Sequence, residues 1–96
     1  MADYSFTEQA ERDIEEITDY TVQQWGIAQT VAYLDGLEAR VQFLANNPQV
    51  GTNREALFAG LLSFRYESNI LYYVKQSNGI AIVRVLHQRM DPVQHL

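Results

Sequence analysis

The sequence predicts an α+β fold, one domain with the element order β-α-α-β-β-β. Three observations carry that expectation. The first half holds two apolar stripes on a helical period. The second half holds runs of alternating or β-branched residues separated by turn signals. The chain has 96 residues, which bury roughly 60–65% of their unfolded surface and so support one modest core, not two. The expected unit is therefore a single domain over residues 1–96.

Asp3–Phe6 sets Tyr4 and Phe6 at alternate positions, the pattern of a short strand. Thr7 then supplies an N-cap, and Glu8 and Glu11 place negative charge at a helix N-terminus, where the aligned peptide dipoles favour it. Ala10, Ile14, Ile17, Thr21 and Trp25 step by four, three, four and four, one stripe of an amphipathic helix. Glu11, Glu15, Glu16 and Asp19 fall on or near the far side, most simply a solvated surface. Gly26 stops the helix.

A second stripe follows at Val31, Leu34, Leu37, Val41 and Leu44 and ends at Asn46-Asn47-Pro48. The tight turn at Gly26 makes the two helices an antiparallel hairpin. Residues 48–60 read as an irregular connection with room for a helical turn near Glu55–Phe58.

The remainder predicts a three-stranded antiparallel meander. In Leu61–Glu67, Leu62, Phe64 and Tyr66 alternate with polar residues, and Ser68-Asn69 is a candidate turn. Ile70–Gln76 is rich in β-branched and aromatic residues. Asn78-Gly79 is a strong hairpin signal. Ile80–Leu86 is almost continuously apolar, as a central strand would be, with Arg84 its one charge. His87–Leu96 reads as a polar tail that Pro92 keeps from pairing. The helix hairpin should cover one face of the meander, with the first strand at an edge or beside the last strand.

Charge narrows the function. The net charge is −5. Residues 1–38 carry nine acids against one base, and residues 39–96 carry six bases against three acids. An acidic chain with one lysine, Lys75, is a poor track for nucleic acid. There is no cysteine, which removes disulfides, thiolate nucleophiles and cysteine-bound zinc. His87 and His95 have no third ligand at a convincing spacing, so no metal or other cofactor is expected. No apolar run is long enough to cross a bilayer, and the start lacks a signal-peptide pattern, so the expectation is a cytoplasmic protein.

Several ordered pieces carry a family resemblance. They are Thr7-Glu8-Gln9-Ala10 leading into Asp13-Ile14 and Ile17; Trp25-Gly26; Leu44-Ala45, Pro48, Gly51 and Arg54; Phe64-Arg65-Tyr66; Ile70-Leu71-Tyr72-Tyr73; and Ile80 to Asp91, including Arg84, His87, Arg89 and Met90. The set resembles the ParE toxins of the RelE/ParE superfamily, from about residue 4 to residue 96. The resemblance implies the toxin of a bacterial type II toxin–antitoxin pair. Such a toxin inhibits DNA gyrase by protein contact, needs no cofactor, and is neutralised by direct binding of a ParD-like antitoxin. Nucleic acid would be met only through gyrase or the antitoxin. The superfamily's other branch cleaves mRNA on the ribosome, and an inactive member that only binds antitoxin is a third reading.

The residues themselves suggest where each role would fall. The basic sheet-and-tail half, Arg65, Arg84, His87, Arg89 and Asp91, is the expected target-binding surface. A ribonuclease would need a base, an acid and cations around the scissile phosphate, and Arg65, Arg84 and His87 are the group on offer. Against this, Arg84 could simply pair with Glu67 or Asp91, Arg65 could lie on a solvated face, and His87 could clip the tail through Asp91. The aromatic residues Phe58, Phe64, Tyr66, Tyr72 and Tyr73 are better explained by core packing than by base stacking. Apolar edges near Trp25, Tyr33 and Phe43 are the expected antitoxin-binding surface, where a partner could lay an amphipathic helix or add a strand.

Overall fold

The computed structural model describes residues 2–96. In chain order it contains β1 (Asp3–Phe6), α1 (Glu8–Trp25), α2 (Ile27–Asn46), a 3-10 turn at Pro48–Val50, β2 (Thr52–Asn53), β3 (Leu61–Tyr66), β4 (Asn69–Gln76), β5 (Gly79–His87) and α3 (Pro92–His95). The strands form one mixed sheet in the order β1-β5-β4-β3-β2. The expected meander is β3-β4-β5, antiparallel throughout, and β1 joins it parallel to β5.

Thr7 fastens the first helix to the last strand. Its Oγ1 accepts from the Ala10 amide at 3.2 Å as the N-cap and donates to the Val83 carbonyl at 3.0 Å. Its own amide donates to the Ile82 carbonyl at 3.0 Å. Gly26, at φ +86°, ends α1 and begins α2, a backbone conformation that disfavours a side chain.

The helices cover one face of the sheet. Ala10, Leu37, Val41, Leu44, Leu71, Tyr73, Ile80, Ile82 and Val85 form the core between them. A smaller cluster on the opposite face joins Leu61, Tyr72 and Leu86, flanked by Leu57, Ile70, Val74 and Val83. Tyr72 and Tyr73, adjacent in β4, thus enter different clusters, as strand alternation requires.

Five local expectations change. Trp25 closes the α1 stripe in sequence but is 70% exposed, because the last turns of α1 border open space rather than the core. Val31 is exposed too, and Thr30 is buried in its place, its hydroxyl bonded back to the Gly26 carbonyl at 2.9 Å. The turn after β3 is Glu67-Ser68, with Glu67 at φ +53°. Asn69 is therefore a buried strand residue, held by the Tyr33 hydroxyl at 2.7 Å. The loop after α2 contains β2, whose two residues pair with Leu62 and Ser63, a signal too short to read from periodicity. The expected polar tail begins one residue later and ends in α3, because His87 still pairs with Asn69 and Asp91 caps the turn that follows.

Candidate functional site

β1 pairs with β5 only as far as Ile82, so the outer edge of β5 beyond it has no strand neighbour. α1 passes that edge and places Asp13 against it. One Asp13 carboxylate receives the Arg84 Nε at 2.8 Å, the Arg84 Nη2 at 2.9 Å and the Val85 amide at 2.9 Å. Arg84 also donates through Nη1 to the carbonyl of His95, drawing α3 to the same place. The bond with Asp13 holds the Arg84 guanidinium above even its ordinary high pKa. Arg84 is thus fixed and locally neutralised, a partly buried ion pair with added backbone bonding.

Beyond this pair lies an open trough of about 910 Å³ between the helix hairpin and the sheet edge. Glu16, Ile17, Tyr20 and Trp25 of α1 form one wall, and Gln29 and Tyr33 of α2 continue it. The edge of β5 from Arg84 to His87 and the Glu67–Asn69 turn form the other side, with Met90 and His95 at the rim. Tyr33 donates to Asn69 Oδ1 at 2.7 Å, and its carbonyl accepts from the Tyr66 hydroxyl at 2.7 Å. Burial first, then the neighbouring Tyr66 and Glu67, pushes the Tyr33 phenol far above its ordinary pKa. It is therefore a neutral hydrogen-bond donor at physiological pH and not a base.

The expected site residues separate into groups. Trp25, Tyr33, Arg84 and His87 border the one trough. Phe43 does not. It lies beside Phe64, ring centroids 6.2 Å apart, with the Arg40 guanidinium over both rings. Arg65 shares the opposite sheet face with Ser63 and donates from Nε to the Glu67 carbonyl at 3.0 Å. Arg65 and Arg84 are not on neighbouring strands, since β4 runs between β3 and β5. Arg84 pairs with neither Glu67 nor Asp91 but with Asp13. His87 and Asp91 each have their own partner: Nδ1 of His87 accepts from the Arg89 amide at 3.1 Å, and Asp91 caps α3 through the Val93 amide at 3.0 Å. Arg89 is exposed.

Asp13 is the residue that sequence reasoning missed. A signal was available. Asp13 is three residues after Ala10 and four before Ile17, so it sits within the apolar arc of α1 rather than on the acidic face. An acid there calls for a buried cation, and Arg84 is the single charge in an apolar strand. Among the described residues, no three His, Asp or Glu side chains gather as a metal set. Among the described residues, no helix is long and apolar enough to cross a membrane.

The trough joins apolar walls to a few fixed polar groups, the make-up of a protein-binding groove more than of a phosphate track. Residues 4–92 match the family described as ParE toxin of type II toxin-antitoxin system, parDE. The chain is 32% identical over 96 residues to Toxin ParE1 of Caulobacter vibrioides, covering 100% of this chain and 99% of that protein. It is 35% identical over 94 residues to Toxin ParE1 of Mycobacterium tuberculosis, covering 97% and 96%. Among solved structures, a chain of the chromosomal ParDE TA system from P. aeruginosa superposes with a TM-score of 0.74 at 20% identity, over 91% of this chain and 96% of that one.

Proposed function

This chain belongs to the ParE toxin family of type II toxin–antitoxin systems, and from that premise we propose that it works by contact, stopping DNA gyrase in the cytoplasm until a ParD-type antitoxin fills its trough. It performs no bond chemistry of its own in this reading. Any cut DNA would be held by the stalled gyrase.

One observation supports this reading over RNA cleavage. The cation best placed in the trough, Arg84, is already bound on two nitrogens by the Asp13 carboxylate. A ribonuclease needs such a charge free for the developing negative charge on phosphate. Arg65, the second cation that cleavage would call on, lies on the other face of the sheet. The remaining acidic wall residues of α1 and the turn, Glu16 and Glu67, would repel a phosphate backbone.

The same geometry offers a route to neutralisation. Trp25 and Tyr33, on the side proposed for antitoxin, and Arg84 and His87, on the side proposed for the target, border one space. An antitoxin segment lying there covers both at once, so antitoxin and target contacts become mutually exclusive. Arg89 and Asp91 flank the rim residue Met90 in sequence, without lining the trough themselves, and we take them as an extension of the proposed target surface.

The test sets two assays side by side. Purified chain is added to gyrase with relaxed plasmid, and separately to translating ribosomes with mRNA. The expected result is lost supercoiling, with cleaved plasmid accumulating only when gyrase is present, and recovery on adding the ParD-type antitoxin from the neighbouring reading frame. Cleaved mRNA with gyrase untouched would move the chain to the ribonuclease branch. Normal growth during expression without antitoxin would leave it an antitoxin-binding member only.

A further inference from the structure

A second cleft, of about 280 Å³, lies at the outer edge of β3, where Phe64 of the helix-covered side also reaches it. Val50, Thr52, Arg54, Ser63, Arg65 and Ile70 border it. Each of its two arginines is positioned through Nε alone. Arg54 donates to the Ser63 hydroxyl at 2.9 Å, and Arg65 donates to the Glu67 carbonyl at 3.0 Å. A guanidinium carries five N–H donors, so most of each fork is left over. Among the described residues, neither arginine pairs with a carboxylate; the ion pairs are Arg12–Glu8 and Arg84–Asp13. Two uncompensated cations beside one small cleft, in a chain of net charge −5, call for an anion from outside.

The surroundings decide what kind of anion. Val50 and Ile70 give the cleft an apolar side, which suits the methylenes of an acidic side chain. The backbone adds a third feature. β2 pairs with Leu62 and Ser63 only, so the outer edge of β3 from Phe64 to Tyr66 has no strand neighbour. An unpaired edge accepts an extended chain through main-chain hydrogen bonds, while alternate side chains enter the pockets on one face.

We propose that this cleft is a docking site for an extended acidic segment of a protein partner, which adds to the edge of β3 and places one Asp or Glu carboxylate between Arg54 and Arg65. The site is toward the β3-β2 edge of the sheet, away from the β5 side that borders the trough, and is independent of whether gyrase is the target. A partner in the trough and a partner on this edge could be held together.

The test uses the full chain, isotope-labelled, with the Arg Nε–H signals followed by NMR. The probes are a blocked hexapeptide of alternating Val and Glu, the same peptide with Gln for Glu, and hexathymidylate. The Glu peptide should shift the Arg54 and Arg65 Nε–H signals and the Phe64–Tyr66 amides together, saturating in the millimolar range. Arg65→Gln should weaken that binding about tenfold, the loss of one charge-assisted bond. Arg65 is exposed, so this variant should unfold at an unchanged urea midpoint. The Gln peptide should leave the signals in place. Equal shifts from the Gln peptide, stronger shifts from hexathymidylate, or no shift from the Glu peptide would each overturn the proposal.

Discussion

Asp13 and Arg84 stand 71 residues apart in sequence and meet through two hydrogen bonds of 2.8 and 2.9 Å. The same carboxylate takes the Val85 amide, so it both neutralises the arginine and closes a strand edge that β1 does not reach. Helix, sheet and C-terminal turn are tied at this point, since Arg84 also holds the His95 carbonyl.

Asp13→Ala should therefore lower stability by about 3 kcal/mol, because it leaves a guanidinium and a backbone amide in a largely buried place without their acceptor. Glu15→Ala, an exposed acid two residues on, should change stability little. Urea midpoints of the two variants test this, and equal midpoints would refute the structural weight given to the pair.

Gly79 begins β5 directly opposite Asp3 of β1. A Cβ there would run into the Asp3 backbone, and the residue's φ is +156°. Gly79→Ala should cost about 1–3 kcal/mol through strain and loosen β1 first. Hydrogen exchange should show the Asp3 amide, which donates to the Asn78 carbonyl at 2.8 Å, losing protection before the β3–β4 amides do. Uniform loss across the sheet would contradict it.

Tyr33, Tyr66, Tyr72 and Tyr73 all have phenols raised by burial. A raised acid pKa means that the folded state holds its proton more tightly than the unfolded chain does. The resulting stability is complete below the unfolded phenol pKa of about 10 and is lost as pH climbs above it. Urea midpoints should fall steeply on the alkaline side. Tyr33→Phe should cost about 1 kcal/mol at neutral pH through the lost bond to Asn69 and make the alkaline fall shallower. An unchanged alkaline slope in that variant would show that Tyr33 contributes nothing to it.

Trp25 and Phe43 can be told apart by binding. Trp25 is 70% exposed in the trough wall, and Phe43 is 42% exposed in the Arg40–Phe64 cluster. Trp25→Ala should weaken the ParD-type antitoxin by about 2 kcal/mol, the size of an interface anchor, while Phe43→Ala should leave it nearly unchanged. Calorimetric titration with the purified antitoxin reads both. The reverse ranking would move the antitoxin to the other side of α2.

The sequence by itself determined the first strand, the two long helices and the three meander strands, in order, but neither β2 nor α3. Thr7, Gly26, Pro48 and Asn78-Gly79 act within a few residues of themselves, so the caps and turns they make are written locally. The family, too, was legible from short ordered motifs such as Phe64-Arg65-Tyr66 and the run from Ile80 to Asp91. Tertiary structure alone decided which charges meet. β5 carries one extra residue opposite Tyr72 and Tyr73, so alternation is interrupted there, and Ile82 and Val85 enter the same core while Leu86 enters the other. A residue count along the strand cannot reveal that shift, because the bulge exists only against a partner strand. Arg84 likewise turned out to belong to Asp13 of the first helix, a partner no count along the strand reveals, whereas Arg65 reached the opposite face by simple alternation with Phe64 and Tyr66. Ion pairing depends on where distant segments pack, and no local period encodes that distance.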